Sequence, residues 1–145
     1  MGTVTNIIAA EDDEIEAIGE SQRPADEWSG IELRDLDTAK IATLHCLLTG
    51  DLFDDAVVHY EPVYVSAVEG TLVLRLADEV TERLSEFDED ALDQFAVELA
   101  ATEAFEDDGW EEESAAALLA ELVELARLAA AQGQALFVWM YPLNE

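Results

Sequence analysis

The sequence holds one cysteine, three prolines and only six Lys plus Arg among 145 residues. The lone Cys46 has no second thiol to pair with, so no internal disulfide is expected, which fits a reducing cytoplasm. Six cations stand against 35 Asp plus Glu, a formal net charge of −29. Direct binding of nucleic acid is disfavoured, because phosphates are gripped by Lys and Arg; an anionic membrane surface is disfavoured for the same reason. No apolar run approaches the roughly 18–20 residues that span a bilayer. The opening MGTVTNIIAAEDDEIE lacks the basic stretch of a secretory signal, and Asn6 stands where myristoylation wants Ser or Thr. A glycine-rich phosphate loop, a G-x-S-x-G elbow, an H-E-x-x-H pair and an internal repeat are also missing.

What is present is the material of a core. Half the residues are hydrophobic and 8% are aromatic, which excludes an acidic disordered tail. The length suits a single domain over residues 1–145. Thr3–Ile8, rich in β-branched residues, reads as a strand, and Glu11–Gly19 as a helix with acids in its first turn. Ser21–Leu36 shows no sustained period and reads as a loop. Asp37 can cap a helix from Thr38, with Ile41, Leu44, Leu47 and Leu48 as its apolar row and Gly50 as its left-handed stop. Val57–Tyr60 and Tyr64–Val68 look extended on either side of Pro62. Thr71–Leu76 reads as a short strand and Ala77–Glu86 as a helix. A further helix starts at Asp88 or Asp90 and runs to about Ala101, with Leu92, Phe95, Val97 and Leu99 apolar. Glu106–Gly109 breaks the chain.

The strongest pattern is a helix from Glu111 to Gln132. It buries Leu118, Leu122, Leu125 and Ala129, widened by Leu119, Val123 and Ala126, and stops at Gly133. Ala135–Tyr141 is apolar on both faces, as a central strand should be. Together these give an α+β domain: a small sheet packed with about four to five helices.

Candidate chemistry is sparse. With 35 carboxylates, close pairs arise by chance, and a solvated charged surface is the default for each. The runs Glu11–Glu16, Glu86–Asp93 and Glu106–Glu113 invite a calcium reading. Asp88, Asp90 and Asp93 lack the EF-hand glycine, however, and Asp107-Asp108-Gly109 lacks the first ligand. His45 and Cys46 are neighbours on one helix and point about 100° apart, so they share no ligand face, and His59 lies in the following loop. Zinc needs three or four convergent ligands, so spacing alone assembles no metal or cofactor site. Cys46, set among Leu44, Leu47 and Leu48, reads as a core cysteine. His45 reads as a packing or capping residue, with no second site group to name. Trp139 reads as core. Trp28 and Trp110 lie in acidic segments, ADEWSG and DDGWEEE. Each either closes over the core or, with Asp107, Asp108, Glu111 and Glu112, meets a cationic surface through cation–π contact and ion pairs.

Leu36-Asp37-Thr38 leading into Leu44-His45-Cys46-Leu47-Leu48-Thr49-Gly50 resembles the YfbM-like domain family, whose members show "LD…W..LH.LLTG" there. The later elements follow in the same order, to Gln132-Gly133 and a terminal apolar strand. The family's Trp before the His is absent, with Ile41 and Ala42 in that region, and residues 51–70 are short. The resemblance implies an α+β fold and no particular activity. It places His45 at a family position without giving it a role.

The charge carries the functional expectation. A folded chain this acidic suits an immunity- or antitoxin-like protein that neutralises a basic partner, since complementary charge speeds encounter. One alternative is imitation of a phosphate backbone to block a nucleic-acid-binding protein. Another is a small enzyme around His45 beneath a halophile-type acidic surface, although Glu outnumbers Asp by 21 to 14.

Overall fold

The computed structural model describes residues 2–34, 36–66 and 70–143. Strand β1 (Gly2–Ala10) leads through a 3-10 turn (Asp12–Glu14) into α1 (Ile15–Glu20), α2 (Pro24–Glu27) and β2 (Ser29–Arg34). Next come α3 (Thr38–Thr49), α4 (Phe53–Val58), β3 (Tyr64–Val65) and β4 (Leu72–Arg75). The chain continues through α5 (Asp78–Ser85), α6 (Glu89–Ala100), α7 (Glu103–Glu106) and α8 (Glu112–Gln132), and ends on β5 (Ala135–Leu143). The five strands form one antiparallel sheet in the order β2-β1-β5-β4-β3. This is an α+β domain. Eight α-helical segments occur among the described residues, more than the four or five expected, because α1, α2, α4 and α7 are six residues or shorter.

Period-two alternation divides the sheet's side chains into two cores. Ile7, Ala9, Leu136, Val138 and Met140 face the layer of α3, α5, α6 and α8, where Leu118, Leu119, Leu122 and Leu125 meet them. Ile8, Ala10, Phe137 and Trp139 face the other way, under Ile18, Trp28 and Tyr64. β5 is buried on both faces and is central, as its sequence predicts. At roughly 1.5–3 kcal/mol per buried large apolar side chain, the α8 layer is the main stabilising interface.

Three expectations need correction. Ser21–Leu36 is not a loop but contains α2 and edge strand β2, which pairs with β1 from Val4↔Arg34 to Ala9↔Ser29. Two buried polar groups of β1 hold this segment down: Thr5 Oγ1 donates to the Leu36 carbonyl at 2.9 Å, and Asn6 Oδ1 accepts from the Ala25 amide at 2.9 Å. Ile31 and Leu33 are the only inward apolar pair of β2, too short a signal to read as alternation. Second, the expected extended piece at Val57–Tyr60 is the end of α4, whose first turn holds Asp54 and Asp55 at the positive end of the dipole. β3 covers only Tyr64–Val65, and Val68 lies outside the described residues. Third, Leu47 and Val97 face solvent. Leu47 is six residues from Ile41, about 240° around the helix and off the buried row.

Candidate functional site

The C-terminal end of α3 is where chemistry-bearing side chains converge. Asp37 caps its start, accepting from the Lys40 amide at 3.0 Å. Gly50 ends it at φ 83°, a left-handed value that suits glycine. That turn folds the chain back over the last helical turn. Thr49 Oγ1 donates to the His45 carbonyl at 2.9 Å and accepts from the Asp51 amide at 3.2 Å, which sets Asp51 beside the His45 ring. The next helix, α4, then returns His59 and Tyr60 to the same place.

His45 is 1% exposed, and both ring nitrogens are engaged. Nε2 lies 2.7 Å from Asp51 Oδ2 and Nδ1 lies 2.8 Å from Tyr60 Oη. The His59 ring stacks on the His45 ring at 5.0 Å, and Tyr60 meets it edge-on at 5.4 Å. A carboxylate only accepts, so Nε2 carries a proton towards Asp51; in the neutral ring Nδ1 then accepts from the Tyr60 hydroxyl. The hydrogen bond from His45 holds the Asp51 carboxyl below its usual range. Burial pushes the Tyr60 phenol up to about 12. Burial, and then the negative charge of Asp51, raises the Cys46 thiol. Cys46 is half-buried against the core and is held as the neutral thiol, the opposite of what a nucleophile needs. One ligand atom from each of His45, Asp51 and His59 lies within 4.8 Å of the others.

His45 therefore has the companions that sequence spacing did not supply. Asp51 is the residue sequence reading passed over. The signal for it was its position directly after a left-handed glycine, where the chain must reverse. His59, placed by sequence in a loop after α3, is carried back to His45 by the helical turn of α4.

The aromatic and acidic candidates are scattered. Trp28 packs on the second core, and its Nε1 donates to Glu14 Oε2 at 3.0 Å. Trp110 packs on the first core, edge-on to Phe105 at 5.2 Å. The two tryptophans thus lie against opposite faces of the sheet. Asp108 ion-pairs with the buried ammonium of Lys40. Asp107, the C-cap of α7, Glu111, the N-cap of α8, and Glu112 in the first turn of α8 are exposed carboxylates.

Most of the cations are engaged within the chain. Arg23 pairs with Asp26 and Glu32, Arg75 with Asp12 and Asp78, and Arg83 with Glu79. Arg127 donates to the carbonyls of Ser85 and Phe87.

Exposed large apolar side chains cluster around α4. Leu52 is 73% and Val58 70% exposed, with Leu47, Phe53, Val57 and Val63 also outward. Asp51, Asp54, Asp55 and Glu61 interleave with them on the surface. A groove of about 450 Å³ between α3, α4 and α7 is lined by Phe53, Thr43 and Ala104 and flanked by Glu103 and Asp107. No helix among the described residues is long and apolar enough to cross a membrane.

Comparison with protein-family models, with curated proteins and with solved structures finds no match to this chain.

Proposed function

We propose that the chain is a small acidic binding protein that neutralises a basic protein partner, in the manner of an immunity protein or antitoxin, within the cytoplasm. The observation that carries this reading is the group of exposed apolar side chains Leu52, Phe53, Val57 and Val58 set among the exposed carboxylates Asp51, Asp54 and Asp55. Contiguous apolar surface rimmed by polar groups marks interaction sites, and the acidic rim selects a cationic occupant. The contact face is the corner formed by α4, with Asp54 and Asp55 in its first turn, and the Phe53 groove, flanked by Glu103 and Asp107. It takes up one of the predicted acids, Asp107, with Glu111 and Glu112 extending the field along the start of α8. Trp110 and Asp108 have partners inside the chain on this side of the sheet, whereas Trp28 packs on the opposite face and lies outside the contact surface. An apolar centre favours a protein surface over imitation of a phosphate backbone, which calls for rows of carboxylates alone. The YfbM-like resemblance of the Leu36–Gly50 segment bears on fold and not on partner.

The test compares three immobilised forms in host lysate: the natural chain, a Leu52→Ser/Phe53→Ser variant and an Asp54→Asn/Asp55→Asn/Asp107→Asn variant. A basic protein is expected on the natural chain, released by about 0.5 M salt as the Debye length shortens. The same protein should be at least about tenfold depleted on both variants. Failure to retain a basic protein at low salt, or equal retention by all three forms, overturns the reading.

A further inference from the structure

The corner that holds His45 offers something a binding surface does not require. We propose that His45, Asp51 and His59 form a site for one divalent transition-metal ion of the zinc class. Their ligand atoms lie within 4.8 Å of one another, and His45 Nε2 and Asp51 Oδ2 are already 2.7 Å apart. Nitrogen and oxygen ligands about 2.0–2.2 Å from zinc stand roughly 3–3.5 Å from each other. The His45–Asp51 pair has to open by roughly half an ångström and His59 to swing inward, a movement open to an exposed ring at the end of a short helix.

The donor set determines the class of ion. Two imidazoles and a carboxylate suit zinc and its neighbours, whereas calcium and magnesium take oxygen ligands. This separates the site from the diffuse attraction that −29 charges exert on any cation. The second shell is also present. A ligating imidazole usually has its other nitrogen fixed by a hydrogen bond, and Tyr60 Oη stands 2.8 Å from His45 Nδ1. Thr49 fixes the backbone of Asp51 through its amide. His45 is anchored in the core while Asp51 and His59 reach solvent, so the ion would bind at the surface end of the trio. Three protein ligands leave at least one coordination position for water or an incoming group, as in open rather than closed zinc sites.

Binding has a signature that a purely structural histidine cannot give. Nε2 faces the Asp51 carboxylate and Nδ1 faces Tyr60 Oη, so coordination through Nε2 requires that nitrogen to be free of its proton and leaves Nδ1 to donate to Tyr60 Oη.

The experiment titrates the intact protein with zinc sulfate alone at about 0.15 M salt, read by calorimetry and by nitrogen NMR of the histidine rings. One ion per chain is expected, with His45 Nε2 unprotonated and Nδ1 protonated in the zinc-bound form. His59→Ala, at an exposed position, should weaken zinc at least about tenfold with an unchanged circular dichroism spectrum, and Asp51→Asn should do the same. Asp54→Asn/Asp55→Asn should leave affinity intact, and magnesium in hundredfold excess should not displace the ion. Absence of stoichiometric binding, unchanged affinity in His59→Ala, or displacement by magnesium overturns the proposal. The outcome is independent of whether a basic partner exists.

Discussion

The two ends of α3 each bury a basic nitrogen, and they handle it differently. At the N-terminal end Lys40 is 2% exposed, with Asp37 at 3.8 Å and Asp108 in direct contact with its ammonium. At the C-terminal end His45 is 1% exposed, between one carboxylate and one phenol. A buried ammonium requires compensating charge, because its desolvation is costly and it cannot become a weakly polar group without losing its proton. An imidazole is satisfied by two hydrogen bonds, one of them to a neutral hydroxyl. The lysine end is consequently a clip: it fastens the loop after α7 to the start of α3. The histidine end has one buried neutral partner, Tyr60, and one carboxylate at the surface, Asp51, with the exposed His59 ring stacked beside it. Fixed compensation makes structure; exchangeable compensation leaves room for a ligand.

The largest effect that would sharpen this contrast is expected at His45. His45→Ala removes a buried ring and takes from the Tyr60 hydroxyl one of its partners, leaving it the Ala77 backbone. A loss of about 3 kcal/mol is expected, combining a cavity with a lost hydrogen bond. Urea unfolding should show a lower midpoint with an unchanged slope. A loss below about 1 kcal/mol would mean that the C-terminal end of α3 contributes no more than an exposed contact, and the contrast with Lys40 would fail.

Tyr60 gives the next effect, visible in alkali. Its phenol is raised from 10.0 to about 12 by burial, so the folded protein holds the proton more tightly than the unfolded chain does. The associated stability is fully present below pH 10 and is lost as pH rises towards 12, by about 2–3 kcal/mol over that window. Tyr60→Phe should flatten the stability profile between those pH values. Ultraviolet titration of the natural protein should show one of its three tyrosines ionising only as the fold is lost. A phenol that titrates near 10 in the folded protein would show the His45 pocket to be wet.

How much of this was legible in sequence depends on the length of the pattern. The 21-residue run of α8 and the doubly apolar β5 were readable, because many residues repeat one instruction. Asp37, Gly50, Asp88 and Gly133 marked helix ends correctly, since capping is a local interaction. Some short elements were readable, as β4 was, but β2 and α4 were not. β2 is decided by pairing with β1, and α4 by packing on α3, so Val57 and Val58 misled through their β propensity. The site failed for the same reason. His45 was visible, but Asp51 and His59 join it only through the reversal at Gly50 and the helical turn of α4. Lys40 gave no sign of its burial in the sequence. Among 35 acids a single lysine reads as one more surface charge, and its burial against Asp108 depends on a contact 68 residues away.

The smallest expected effect tests the clip itself. Lys40→Met keeps most of the stem's packing and removes the charge, leaving Asp37 and Asp108 half-exposed and able to hydrate. Replacing a buried ion pair by an apolar side chain of similar volume is often neutral or better, so stability should stay within about 1 kcal/mol of the natural protein. Asp108→Asn does the reverse: it keeps the buried ammonium and takes away its closest charge. That change should cost about 1–2 kcal/mol, below the full price of an orphaned buried charge because Asp37 remains. The order of the two variants in urea midpoint is the decisive reading. If Lys40→Met is the more damaging, the ammonium is stabilising as a charge, and Lys40 then belongs with His45 as a group whose partners matter more than its burial.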